Sequence, residues 1–549
     1  MKIFATALLF ALLCISYLPT HAQFKLVAEG PKFEEPEEGF AKILQLKNGN
    51  TFYIHITAKD GINVRVYDAS HKEKAVKTIS PAYESLIIEN RDAVIGIFEM
   101  NNDVLVFMYK EDKEDKLPRL HRLNFDGTSG NLKKQDIIAV GKYTWRNRPM
   151  LGSYTYFYVR KDPDSDNYAL AMFDELTEDN TKRLEIVHYN SANSEISRKF
   201  CFLPNENEAK SFFNDMVVLG NEKICVLLKY TQKGAKRGTW INKEMMVIIE
   251  KGKAAVEFVK LDNPDDINSY YCTAKYNAST KKILYISAVT SSAIIKDGYD
   301  IKLYMIDPIT KKAELVPEVG HSEKLNTTYK ETLDQKENYQ GMPQNILINE
   351  DGSFTILYEE MTDIGTQNGV SGTELGTIAV SEHDMNGKFV SDYLIPMAHW
   401  IPDYKQNPFP FYISKREMVP QLLSKNIQYK SFVFFKGIKK AYILFNDTYR
   451  NNDIINAKKE GRFGTETKSK IVRVMAITGN CSAFMFKLDG SDILPKRNYL
   501  FEEKKGAQSA LALLTISDYN KKNNTYATLM LDKSNTKSKM VSVVWQQAD

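Results

Sequence analysis

Residues 39–80 read GFAKILQLKNGNTFYIHITAKDGINVRVYDASHKEKAVKTIS, and this stretch decides the fold. Its four short runs, GFAKILQL, NTFYIHITA, INVRVYDA and KAVKTIS, are rich in aromatic and β-branched residues. The Asn, Gly and Lys residues between them favour tight turns, so the unit reads as a four-stranded antiparallel meander. The same unit returns as DAVIGIFEM, DVLVFMYK, RLHRLNFDG and NLKKQDII, then as FFNDMVVL, KICVLLKY, EMMVIIEKG and AAVEFVKLD, and again as YYCTAKYN, KKILYISAV, DIKLYMIDP and KKAELVPEV. Similar sets begin near Tyr154, Gln344, Ser431 and Ala510.

A meander standing alone leaves both faces in water, and neighbours arranged radially bury them. Repeats of roughly fifty residues built this way predict an all-β fold, a β-propeller of seven or eight four-stranded blades. The count turns on the seventh unit, where KIVRVMAITG and CSAFMFKLDG compete for the third strand. The last unit offers only ALALLTISDY, TYATLMLD and SKMVSVVW, and FKLVAEG (24–30) is expected to supply its fourth strand and close the ring. A tandem β-sandwich is the alternative fold; it accommodates the strands but not the repeat. Where third strands end, Asp68, Asp126, Asn190, Asp307 and Asp489 recur, short side chains that bond nearby backbone in turns.

The chain has 549 residues, and no Pro-, Gly- or Ser-rich tract or charge block divides it. Residues 23–549 are therefore expected to form a single propeller domain. Before them, MKIFATALLFALLCISYLPTHAQ has one charge at Lys2, an apolar run and small residues near Ala22, the pattern of a secretory signal peptide over residues 1–22. Destination outside the inner membrane, secreted or periplasmic, follows as an expectation, with no membrane span after cleavage. Basic and acidic residues number 73 and 69, a balance that excludes an electrostatic case for nucleic acid. Of five cysteines, Cys14 lies in the leader, and Cys201, Cys225, Cys272 and Cys481 show no zinc spacing. One or two disulfides are compatible with an oxidising compartment.

The THAQ-type export signal and the degenerate meanders ending in Asp or Asn resemble the uncharacterised secreted β-propellers of Bacteroidota. The resemblance is architectural and implies no active-site residue. The recurring Trp-Asp pair of WD40 repeats and the Gly-Gly doublets of kelch are missing, and INEDGSF departs from the sialidase-box pattern.

In such a meander the turns after first and third strands fall at one end, and all other connections fall at the other. Short turns (KNGN, MNND, GNEK, NEDGS) occupy the first end. Stretches 231–244, 361–376 and 447–470, with blade-to-blade segments 140–150, 321–340 and 399–430, occupy the second. Length concentrated at one end marks a binding face. Trp145, Trp240 and Trp400 fall there with Tyr404, Phe409, Phe411 and Tyr412, aromatics suited either to stacking on sugar and anchoring a protein or to covering blade ends. Glu359, Glu360, Asp363, Glu374, Asp403, Asp447 and Asp453 are the candidate carboxylates for acid and base work on a glycoside.

HExxH, GxSxG and P-loop motifs are absent from the sequence, and Ser371 in GVSGTE reads as loop. His55, His121 and His188 sit in strands, His321, His383 and His399 near loops, without ligand spacing. Asp162, Asp164 and Asp166 begin like a calcium loop, but Asn167 replaces the required Gly and Phe173 the Glu, so a hairpin turn is expected. No cofactor and no metal site is expected. The reading that results is a non-catalytic extracytoplasmic binding or scaffold propeller holding an extracellular or envelope protein, or a glycan. A carbohydrate-active propeller, hydrolase or lyase, is the alternative. Trp145, Trp240, Trp400, Tyr404, Phe409, Tyr412, Glu374 and Asp447 are the candidate ligand contacts.

Overall fold

The computed structural model describes residues 24–548 apart from 80–93, 143–154, 203–209, 234–239, 262–268, 291–299, 403–419, 424–426, 460–469, 476–479, 502–509, 533–538 and shorter breaks of one or two positions. It is 61% strand and 6% helix, with eight antiparallel blades in a ring. Blade 1 runs Gly39–Gln45, Thr51–Thr57, Gly61–Tyr67 and Glu73–Ile79, and its strands pair in that order. Blades 2 to 6 begin at Val94, Thr155, Lys210, Ser269 and Met342, blade 7 at Val433 and blade 8 at Leu511. In blade 7 the third strand is Cys481–Leu488, which resolves the competition and sets the count at eight. From KIVRVMAITG, Val474 makes only an isolated bridge to His399.

First strands of neighbouring blades touch one another, placing them around the axis. Second strands are buried on both faces because a blade packs on each side: Phe52, Ile54 and Ile56 pack toward blade 2 and Tyr53 toward blade 8, and all four are buried. Outer strands meet water, and Glu73–Ile79 and Leu132–Val140 carry lysines that discourage edge-to-edge pairing.

Ring closure is as the chain ends suggested. Lys25–Glu29 pairs antiparallel with Met540–Gln547 as the outermost strand of blade 8. Phe24 inserts edge-on against Tyr442, 4.9 Å between ring centres, and is buried. Across the seam to blade 1, the Trp545 indole N–H donates to Thr51 Oγ1 at 2.9 Å, and the Gln45 backbone N–H donates to Asp518 at 2.7 Å.

The recurrent turn residues act locally. Asp68 accepts the Ser70 and Lys72 amides at 2.9 and 3.0 Å, and Asp126, Asn190 and Asp307 accept amides two or three to four residues onward in the same way. Asp384, before Asn386-Gly387, is a further member. Asp489 pairs with Lys440 at 3.5 Å. The acidic string also forms a turn: Asp162 accepts from Ser165 Oγ and the Asp164 and Gly220 amides, and Asp166 pairs with Lys47 and Lys161. All four described cysteines are buried, and no disulfide joins them. Among the described residues, no helix is long and apolar enough to cross a membrane.

Candidate functional site

The long connections do fall at one end, but several are ordered elements instead of loops. Residues 361–376 extend blade 6 into a hairpin of two long strands, Phe354–Gln367 and Val370–His383, so Ser371 lies in a strand. Helix α1 (Glu323–Leu333) crosses from blade 5 to blade 6, and α2 (Tyr449–Lys459) fills part of the blade 7 connection. Ser322 caps α1 by accepting the Leu325 amide at 3.0 Å, while its own N–H and hydroxyl donate to Asp392 at 2.8 and 2.9 Å. Leu325, Tyr329 and Leu333, at helical spacing, form the buried face of α1.

Beneath α1, the Tyr329 hydroxyl donates to Glu360 Oε1, and the Thr377 amide donates to Oε2 at 3.0 Å. Burial raises the Glu360 carboxyl; the two hydrogen bonds oppose that, and the charge of Glu374 adds to it. Gly376 faces this carboxylate so closely that a Cβ there would stand 3.0 Å from Oε2.

Several candidate contacts prove to be interior. Trp400 is 7% exposed: His399–Pro402 pairs with the blade 6 hairpin opposite Leu375–Gly372, and the indole covers Gly372. It is a packing residue, because the hairpin's apolar surface needs a cover. Asp447 has no exposed surface; it lies 3.0 Å from the Arg497 guanidinium and accepts from Asn451 Nδ2 and the Thr448 amide. Glu374 is tied to Arg473. Glu359 is buried, and Asp453 is exposed on α2. Trp240 opens the strand Trp240–Glu250 opposite Lys233, and Asp363 lies within Phe354–Gln367. Trp145, Asp403, Tyr404, Phe409, Phe411 and Tyr412 lie outside the described residues.

A buried lysine anchors the aromatic insertion. Lys430 donates from Nζ to the carbonyls of Trp400 and Met475 at 2.7 and 2.9 Å, and burial lowers its ammonium to about 8. The histidines near the loops are enclosed too. His321 stands edge-on to Tyr339 and Tyr358, and burial lowers its imidazole to about 4. Among the described residues, no group of three His, Cys, Asp or Glu side chains is placed to hold a metal ion.

Two cavities among the described residues lie elsewhere. One, of about 680 Å³, opens on the axis at the short-turn end, lined by Arg160, Asp215, Tyr276, Met216 and Leu347. Asp215 is saturated there, accepting from Arg160 Nε at 2.9 Å, Thr273 Oγ1 at 3.2 Å and the Ala274 amide at 3.1 Å. The other is a cleft of about 1210 Å³ at the seam of blades 8 and 1, on the end bearing the long connections. The blade 1 sheet supplies Tyr53, His55, Asn63 and Arg65, the crossing segment supplies Phe33, Glu34, Glu35, Glu37 and Glu38, and Gln428 and Tyr429 close it. Arg65 sits 4.2 Å above the Phe33 ring and pairs with Glu73 at 2.7 Å. Tyr429 donates to Glu35, whose carboxyl is raised by burial, and Lys539 pairs with Glu37. Gly39 ends the segment at φ +79°, and a Cβ there would meet the Ile56 carbonyl at 2.1 Å, so only glycine makes this entry into blade 1.

This cleft is absent from the sequence-level candidates. The one pointer available was the run EEPEEG (34–39), five positions after the closing strand, with four carboxylates in a nearly neutral chain.

No protein-family model and no curated protein matches the chain. Among solved structures it is similar to the polysaccharide lyase Uly1, at 10% identity over 86% of this chain and 93% of that one, with a TM-score of 0.37. It is similar as well to the WD40 domain of SCAP from fission yeast, at 8% identity over 94% and 98% of the two chains, with a TM-score of 0.34. A third likeness is to an alpha-L-arabinanase of Penicillium chrysogenum solved with arabinobiose, at 10% identity, 71% and 100% coverage and a TM-score of 0.30. None of them assigns a role to a residue of this chain.

Proposed function

We propose that this chain is a non-catalytic binding or scaffold propeller, exported by its leader, whose end bearing the long connections holds a protein or a glycan. The observation that carries this reading is the way that end uses its candidate acids. Asp447 is consumed by Arg497, Glu374 by Arg473, and Glu360 by Tyr329 and Thr377, so each carboxylate braces an inserted element. A rim braced in this way is a rigid platform beside an open cleft, which suits recognition. Folds of this kind host both binding and catalysis, so the site and not the fold carries the proposal.

One observation favours the alternative. Glu360, held protonated more readily by burial and standing near Glu374, is what a general acid beside a second carboxylate requires. A glycan panel scored for both retention and cleavage separates the readings. Retention without turnover supports the binding propeller; turnover that disappears in Glu360→Gln overturns it.

A further inference from the structure

We infer that the cleft between blades 8 and 1 is the docking site for a Lys- or Arg-bearing polypeptide segment of a protein partner. This rests on the binding-propeller reading and names the partner class for that end. Charge is the first argument. Glu34, Glu35, Glu37, Glu38 and Asp60 line the cleft against Lys59, Arg65 and Lys539. Two of those three cations are already engaged, Arg65 by Glu73 outside the acidic set and Lys539 by Glu37. The local field is therefore negative in a chain whose formal net charge is +4, so attraction of a cation here is a property of the cleft and not of the whole surface.

An orphaned acceptor is the second, independent argument. Gln428 lines the cleft and is 2% exposed, and its Oε1 receives no hydrogen bond. A buried carbonyl oxygen without a donor carries the cost of its lost hydration, and an incoming ammonium or guanidinium N–H relieves it. The shape of the lining is the third. Val76, 52% exposed on the outer strand of blade 1, provides an apolar surface along which the methylene stem of Lys or Arg lies while its head reaches carboxylates. A dry aliphatic pocket would lack the acids, and a sugar site would not need a net negative field.

The test is fluorescence anisotropy of the purified chain with a labelled oligolysine peptide, with oligoglutamate and Gly-Ser peptides of equal length as references. Oligolysine is expected to bind, more weakly as NaCl rises, and the two references are not. The triple variant Glu34→Gln, Glu38→Gln, Asp60→Asn changes only exposed side chains and keeps the fold; it is expected to lose affinity by roughly tenfold or more. Gln428→Leu is expected to weaken binding while leaving the salt slope intact, because it removes a neutral acceptor. Equal binding of Gly-Ser peptide, or unchanged affinity of the triple variant, overturns the inference. So does displacement of oligolysine by a glycan retained in the panel, which reassigns the cleft to sugar. Glycan retention with no oligolysine binding removes this inference and leaves the proposed function standing.

Discussion

Replacing Asp447 by Asn separates a structural acid from a functional one. Asp447 and Arg497 have side-chain exposures of 0% and 2%, and burial works to lower the guanidinium while Asp447 supports it. With Asp447 neutral, the Arg497 charge keeps the Thr448 carbonyl at 3.1 Å and the face of Phe484 at 3.5 Å, but no counter-ion of its own is left among the described residues. Removing one member of a buried ion pair typically costs about 3–5 kcal/mol, since a charge is left in the interior without its counter-ion. Asp447→Asn should therefore lower the urea midpoint by roughly 1 M. Asp447→Leu combined with Arg497→Met should cost less than either single change, because neither charge then remains buried. Urea titration followed by tryptophan fluorescence measures the wild type and all four variants. If Asp447→Asn unfolds with the wild-type midpoint yet loses ligand, the carboxylate serves recognition and the assignment made here is wrong.

Acid should unfold the protein partly through His321, whose half-buried imidazole is held neutral between Tyr339 and Tyr358. Its pKa falls from 6.5 to about 4 on folding, so its contribution is fully present above 6.5 and is lost as pH falls toward 4, by about 3 kcal/mol in all. His321→Phe should flatten the midpoint-versus-pH curve over that window, and an unchanged slope would refute it. Phe24→Ala should cost about 3 kcal/mol or more by opening the packing against Tyr442 and Phe435 at the ring closure. Thermal melting reads this directly, and an unshifted melt would mean that strand Lys25–Glu29 is not needed to close blade 8. Burial pushes the Cys201 and Cys225 thiols up to about 12, and Cys272 and Cys481 are buried as well. A native chain starting at Gln23 should react with no equivalent of Ellman's reagent and with four in denaturant; rapid native labelling would contradict the packing.

The blade pattern was legible because it is local. Alternating apolar runs such as NTFYIHITA, ended by a turn residue such as Asp68, need no distant partner to declare a hairpin, and a unit repeated eight times reports its own need for neighbours. The long connections were legible as length alone. Their content was not, because α1 and the blade 6 hairpin are set by what they cover, the Tyr329–Glu360 contact and the Trp400–Gly372 contact, which join residues 31 and 28 positions apart.

What the chain determined by itself was the meander, its repetition and the pairing of its two ends, all consequences of strand periodicity and turn chemistry. Only the tertiary structure decided which polar groups are spent inside and which are offered outward. Asp447 and Trp400 look like surface residues in sequence and are interior, while Glu34, Glu35, Glu37 and Glu38 drew no notice in sequence and line a cleft. Burial depends on which blade packs against which connection, and that information is held between segments hundreds of residues apart, as where Trp545 meets Thr51.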